Sequence, residues 1–170
     1  ITSTTINTNA DNRVITGSGT ANTLNGESNL TFDGSTLTVT GAASVSADIT
    51  VNSVTVGRGT NSVATNTVLG DSALDAAVTG TNNTAIGNVS ATTLTSGGSN
   101  TSVGSQSLQL NTTGDFNVAV GKDALRYFVA GNNTAVGADA MQGANGSSTG
   151  NNNVAVGNQA LFACTTGTLN

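Results

Sequence analysis

The chain has 170 residues with few large side chains: aromatic residues make up 3%, charged residues 8%, and Pro, Trp and His are absent. The net charge is −5, and the few cations (Arg13, Arg58, Lys122 and Arg126) form no basic patch, which excludes electrostatic binding to nucleic acid. An ordinary compact globule is also excluded, because a lone monomer would bury too little apolar area to offset its ordering entropy. Abundant Thr, Val, Asn and Gly instead favour strands and turns that are stabilised by stacking or association.

Targeting signals are sparse. No run of 18 apolar residues occurs, so membrane insertion is not expected. The single cysteine, Cys164, cannot form a disulfide within one chain. The first residue is Ile1 rather than Met, which favours a fragment or a processed product.

Residues 1–56 are predicted to form a β-rich shaft or a small β subdomain. The segment 30–40 has the pattern of a β-hairpin, in which Asp33-Gly34 supplies a two-residue type I′ turn between alternating strands. After it, apolar residues alternate with polar ones from Val45 to Val51, which predicts a further strand.

Residues 57–170 contain a repeat centred on Asn-x-Ala-Val-Gly. Six clear copies end at Gly70, Gly87, Gly104, Gly121, Gly137 and Gly157, with spacings of 17, 17, 17, 16 and 20 residues. A small–large pair follows most of these glycines at a fixed distance, as in Ala124-Leu125. Self-similarity at such a period is typical of solenoids, in which each repeat forms one structural unit.

The repeat length predicts the geometry of a coil. Seventeen extended residues reach at most about 56 Å, so a closed coil needs two or three short strands joined by tight turns. Side chains alternate within Asn117–Gly121, which places Val118 and Val120 on one face and Ala119 on the other. We therefore predict a β-roll or β-solenoid of about six coils, with Val120 and its equivalents Ile86, Val103, Val136 and Val156 in an internal aliphatic ladder. The small-residue face would then allow close backbone packing.

Two resemblances follow from these segments. The Asn-x-Ala-Val-Gly repeats in residues 61–164 resemble the head repeats of YadA-like trimeric autotransporter adhesins, although that family has a period of about 14. The stretch 9–41 looks like segments of tail-fibre and other appendage proteins of marine tailed phages, in which such shafts alternate with Asn-Thr-Ala-Val-Gly repeats. The first resemblance implies a left-handed parallel β-roll with three chains to a trimer. The second implies an adsorption role.

Catalytic chemistry is not expected from this sequence. Without His there is no Ser-His or Cys-His pair, and no phosphate loop, metal cluster or cofactor motif is apparent. Asp123 and Asp139 occupy equivalent places and could bind a cation together, but a solvated polar position on the coil surface is the simpler interpretation. The concentrated aromatic and cationic spot, Arg126, Tyr127 and Phe128, is a candidate surface contact, with core or inter-chain packing as the alternative.

The sequence therefore predicts a structural and adhesive segment of a virion fibre that attaches to the host surface. Its expected partners are two further copies in a homotrimer, other virion appendage proteins, and a host-surface glycan or protein. The alternative is the head of a bacterial trimeric autotransporter adhesin on a cell surface. A polysaccharide depolymerase on a β-helix is a third hypothesis, which the sequence provides with no catalytic residues.

Overall fold

The structure is a computed structural model that describes residues 13–17, 24–32, 35–40, 42–43, 45–144 and 148–167. Over these residues the chain contains eleven strands and no helix, which confirms the predicted all-β class. Two compact units are formed, Ile1–Val45 and Ser46–Asn170. This boundary precedes the one predicted after residue 56, because the next strands belong to the sheet of the repeats.

The first unit contains a three-stranded antiparallel sheet of β1 (Arg13–Gly17), β2 (Leu24–Phe32) and β3 (Leu37–Val39). The predicted hairpin is present as the β2–β3 pair, in which Phe32 is paired with Leu37. Four residues therefore connect the paired ends, whereas a two-residue Asp33-Gly34 turn would pair Phe32 with Ser35. The turn residues Asp33 and Gly34 themselves lie outside the described residues.

The second unit is a single sheet of eight short strands, stacked in chain order. Its strands are β4 (Ile49–Val51), β5 (Val54–Gly57), β6 (Thr67–Gly70), β7 (Thr84–Ile86), β8 (Thr101–Val103), β9 (Val118–Val120), β10 (Thr134–Val136) and β11 (Val154–Val156). From β6 to β11 all neighbouring strands are parallel. Each of these six strands is the centre of one sequence repeat.

One repeat makes one turn of a β-solenoid. Ala85 is paired with Ser102, which is paired in turn with Ala119, so equivalent residues stack directly. Hydrogen bonds between coils continue outside the strands, since the Leu108 N–H donates to the Ala124 carbonyl at 2.9 Å. The predicted solenoid with coils of about 17 residues is confirmed, and the six parallel strands span five turns.

An antiparallel hairpin, β4–β5, pairs with the first coil. Strand β5 runs antiparallel to β6, with Gly57 paired to Val68. The Asp48 carboxylate accepts hydrogen bonds from the N–H groups of Arg58 and Gly59, both at 2.7 Å. The hairpin thus covers one edge of the parallel sheet, as the atypical end unit of a repeat stack commonly does. Of the strand predicted from Val45 to Val51, residues 49–51 are in strand conformation.

The interior of the coils is lined by the small-residue face of the repeat. Ala85, Ser102, Ala119, Ala135 and Ala155 of the parallel strands are buried, whereas Val118 and Val120 are only partly covered. The prediction of an internal valine ladder is therefore wrong, although the alternation on which it was based is correct. The large members of the small–large pairs fill the core instead: Leu74, Leu108, Leu125 and Met141 are fully buried.

A hydrogen-bonded column of asparagines explains why the small-residue face can be internal. Asn100 is buried, and its side-chain amide donates to the Gly114 carbonyl at 2.9 Å. Its side-chain oxygen accepts from the backbone N–H of Asn117, one coil further on, at 2.9 Å. Equivalent bonds are formed by Asn66, Asn83, Asn117, Asn133 and Asn153. A buried polar side chain with satisfied hydrogen bonds carries no desolvation penalty that would push it outward.

The glycine that ends each motif permits close stacking of the coils. Gly104 has a φ of 136°, a conformation that other residues rarely adopt. A Cβ atom on Gly104 would lie 2.4 Å from the carbonyl oxygen of Gly121 in the next coil. The repeated glycine is therefore a requirement of the backbone.

Candidate association surface

The side chains directly before the repeat glycines form a line of aliphatic groups on the outside of the solenoid. We call this set the outer ladder: Leu69, Ile86, Val103, Val120, Val136 and Val156. Leu69 is 43% exposed and Val136 is 37% exposed, and the side chains of Ile86, Val103 and Val120 are half-buried. Parallel, in-register pairing places these side chains above one another at about 4.8 Å per coil. The result is a continuous apolar strip along the stack.

A second outward column borders the outer ladder and is also uncharged. It consists of Thr67, Thr84, Thr101, Val118, Thr134 and Val154. Each is two residues from its ladder neighbour and therefore lies on the same face of its strand. Because neither column contains an ionisable group, a partner could cover this face without burying an unpaired charge. Extended apolar strips of this kind on a protein surface are typical of association sites.

The spot Arg126, Tyr127 and Phe128 lies apart from this face in the repeat, and its members differ in accessibility. Phe128 is fully buried and belongs to the core, so it is not available as the surface contact considered from the sequence. Arg126 and Tyr127 are half-buried, and the guanidinium carbon lies 5.0 Å from the centre of the Tyr127 ring. The Arg126 Nε–H donates to the side-chain oxygen of Gln109 at 2.8 Å.

Asp123 is a buried carboxylate with two basic neighbours, which differs from the solvated position predicted for it. Arg126 approaches to 3.2 Å, and Lys122 forms a hydrogen-bonded ion pair with the same carboxylate. The pKa of Lys122 is raised above its ordinary value by the hydrogen bond and charge of Asp123. Asp139, in the next coil, accepts a hydrogen bond from Gln142 instead. The two carboxylates are thus engaged separately rather than as a paired cation site.

Phe116 occupies the corner before β9 and is 63% exposed. Its φ of 57° is in the left-handed region. The sequence marks this position only by a bulky residue two before Val118, where other coils have Asn, Ser or Thr.

An open cleft of about 470 Å³ lies between the β4–β5 hairpin and the first coil. Three acidic residues, Asp48, Asp71 and Asp75, contribute to its lining. The Asp48 carboxylate already accepts the hydrogen bonds from the N–H groups of Arg58 and Gly59. Among the described residues, no group of three His, Cys, Asp or Glu side chains is placed to hold a metal ion. Those residues also include no helix that is long and apolar enough to cross a membrane.

Comparisons of the chain with protein-family models, with curated proteins and with solved structures found no match.

Proposed function

We propose that this chain is a structural and adhesive segment of a virion fibre, which assembles as a homotrimer and attaches to the host surface. The observation that carries the proposal is the outer ladder. An apolar strip that repeats at every coil needs a partner that repeats at the same spacing. An identical chain, aligned in parallel, has that spacing by construction.

The solenoid also suits the mechanical part of the role. Its backbone is hydrogen-bonded from coil to coil along the whole stack, so load is shared among many bonds. Within one chain its core is filled by small residues, hydrogen-bonded asparagines and buried side chains such as Leu108 and Leu125. The outward aliphatic side chains of the strands are thereby left for contacts between chains. Three parallel copies would present each host-binding position three times, so that weak contacts reinforce one another.

The number of chains and the virion location are supported by resemblance. The repeats of residues 61–164 are similar to trimeric adhesin heads, and residues 9–41 look like marine phage appendage proteins. The combination of a shaft-like segment with the repeats favours the virion over the bacterial cell surface.

An antibody raised against residues 46–170 tests the location and the role together. We expect it to label a tail appendage on intact particles by electron microscopy and to block adsorption to host cells. An antibody against the core protein of the particle serves as the control. Labelling of a bacterial outer surface with no labelling of particles would instead favour the adhesin alternative.

A further inference from the structure

Phe116 combines two unfavourable features. Its ring is 63% exposed to solvent. Its backbone φ is 57°, in the left-handed region, where a bulky side chain crowds the following carbonyl. Bulky residues held in such a conformation cluster at functional sites.

Other bulky residues in this conformation are better covered than Phe116. Leu74, Leu108 and Leu125 have φ values of 50°, 51° and 51° and are fully buried in the core, and Leu161, with a φ of 51°, is 39% exposed. Their backbone strain is offset by the apolar area that they remove from water. Phe116 gains little in this way, because most of its ring is in solvent.

The equivalent corners of other coils have no aromatic residue. Asn82, Ser99, Asn132 and Asn152 occupy this position, with φ values of 60°, 58°, 60° and 58°. Asn tolerates the left-handed conformation better than Phe does. The outer ladder has an apolar residue in every coil. Phe116 is instead a single aromatic position, of a size that a small ligand could cover.

Polar groups lie on both sides of this corner. Asp115 is exposed, and its Oδ1 accepts a hydrogen bond from the Gly98 N–H at 2.6 Å. Its carbonyl accepts from the Asn132 N–H at 2.8 Å, which fixes the next corner above Phe116. Within the described residues, the second carboxylate oxygen of Asp115 and the side-chain amide of Asn132 form no hydrogen bond. Phe116 therefore has an available acceptor on the residue before it and an available amide at the same corner of the next coil.

We propose that Phe116, Asp115 and Asn132 form a binding subsite for a neutral sugar ring. The apolar C–H face of a pyranose, with its slight positive charge, would stack on the negative face of the Phe116 ring. Sugar hydroxyls would donate to Asp115 and exchange hydrogen bonds with the Asn132 amide. The Asp115 carboxylate and the net charge of −5 disfavour acidic sugars. This inference rests on the proposed adhesive function, of which it names the ligand class.

Two matched variants test the subsite. Phe116→Asn restores the residue found at the corners of Asn82 and Asn132, so it relieves backbone strain. Phe162→Gln is the control, because Phe162 is also exposed and Gln142 occupies the equivalent place one coil earlier. The probes are neutral oligosaccharides of glucose, galactose and mannose. Binding is followed by NMR of protein with labelled Phe rings, of which the chain has four.

We expect one Phe ring signal to shift with a neutral oligosaccharide in the unaltered protein and in Phe162→Gln. That signal should be missing in Phe116→Asn, and affinity should fall by about tenfold or more. Thermal stability and mass in solution should be unchanged or slightly higher. The absence of any ring shift would overturn the subsite, as would a loss of assembly in Phe116→Asn, since Phe116 would then pack between chains.

Adhesion to host cells separates this inference from the proposed function. If unaltered protein and Phe116→Asn adhere equally, the subsite is wrong and the adhesive role stands. If the oligosaccharide shifts the Phe116 signal but the protein does not adhere to host cells, the subsite stands and the proposed host attachment fails.

Discussion

The inner and outer faces of the repeat strands differ in what they contact. From β7 to β11 the inner face carries small Ala and Ser side chains beside asparagines, all of them buried, and the asparagine side chains are hydrogen-bonded within one chain. The outer face carries Val, Ile, Leu and Thr, which are partly exposed in the single chain. The difference indicates that folding of the coil depends on the inward-facing residues and the core leucines, and that the outward aliphatic residues of the strands are available for assembly.

Replacement of Asn100 by Leu, on the inner face, should cause the largest loss of stability. The substitution leaves the N–H of Asn117 without its partner and removes one of two bonds to the Gly114 carbonyl, which keeps the bond from the Asn111 amide at 3.2 Å. An unsatisfied buried group costs about 1–3 kcal/mol and a lost hydrogen bond about 1 kcal/mol, so we expect a loss of about 2–4 kcal/mol. Chemical denaturation followed by circular dichroism would measure it. Asn88→Leu, at an exposed position outside the left-handed region, is the control, and an equal loss there would contradict the importance of the internal bonds.

Ala119→Leu should be the next most disruptive change. Ala119 is completely buried, and the coil interior has no space for three more carbon atoms. Overpacking of this kind costs about 1–3 kcal/mol and occasionally more. Val120→Leu is the matched control on the neighbouring outward position, where we expect little change in the thermal midpoint. If Ala119→Leu left the thermal midpoint unchanged and Val120→Leu lowered it, the valines and not the alanines would be the internal residues.

Val120→Asp should leave the fold of the single chain nearly unchanged and abolish assembly. The new carboxylate is half-exposed in a monomer, so we expect a loss of only about 1 kcal/mol, from the lower strand preference of Asp. In an assembly it would be buried in an apolar strip. Light scattering should therefore show folded monomers, while Val120→Ile, which copies Ile86, should behave like the unaltered chain. Unfolding of Val120→Asp as a monomer would contradict the outward placement.

Lys122→Gln should have the smallest effect, and it depends on pH. The pKa of Lys122 is raised by the hydrogen bond and charge of Asp123. Its charged form is therefore stabilised in the folded state, and this contribution is fully present below the ordinary pKa of 10.5. It is lost as the pH rises through the folded-state value.

The melting temperature of Lys122→Gln should accordingly be slightly lower than that of the unaltered chain at neutral pH. The difference should close above pH 10.5. Arg58→Gln removes an exposed positive charge that forms no ion pair within the described residues, so it controls for net charge. A difference that persists at high pH would mean that Lys122 acts through packing and not through its charge.

The sequence predicts the period, the strand positions and the alternation within each strand. These follow from the spacing of the glycines and from the two-residue period of a strand, and the structure confirms both. Which of the two faces of each strand is buried could not be predicted in the same way. Hydropathy favours Val120 over Ala119 as a core residue, and the hydrogen bonds that make Asn117 acceptable inside appear only once the coils are stacked.

The candidate surface shows the same limit. Arg126, Tyr127 and Phe128 were selected for their residue types, but Phe128 points into the core. The fixed small–large pairs, such as Ala124-Leu125, contained the missing information, because a large residue that recurs in nearly every coil fills an interior. Phe116 could not be singled out from the sequence, because its unusual features are its backbone conformation and its exposure.

The mass in solution of residues 46–170 and of its Val120→Asp variant tests the central claim most directly. We predict a species of three chains for the unaltered segment and a folded single chain for the variant, both with β-type circular dichroism. A folded monomer of the unaltered segment at high protein concentration would contradict the account, because the outer ladder would then have no role in assembly.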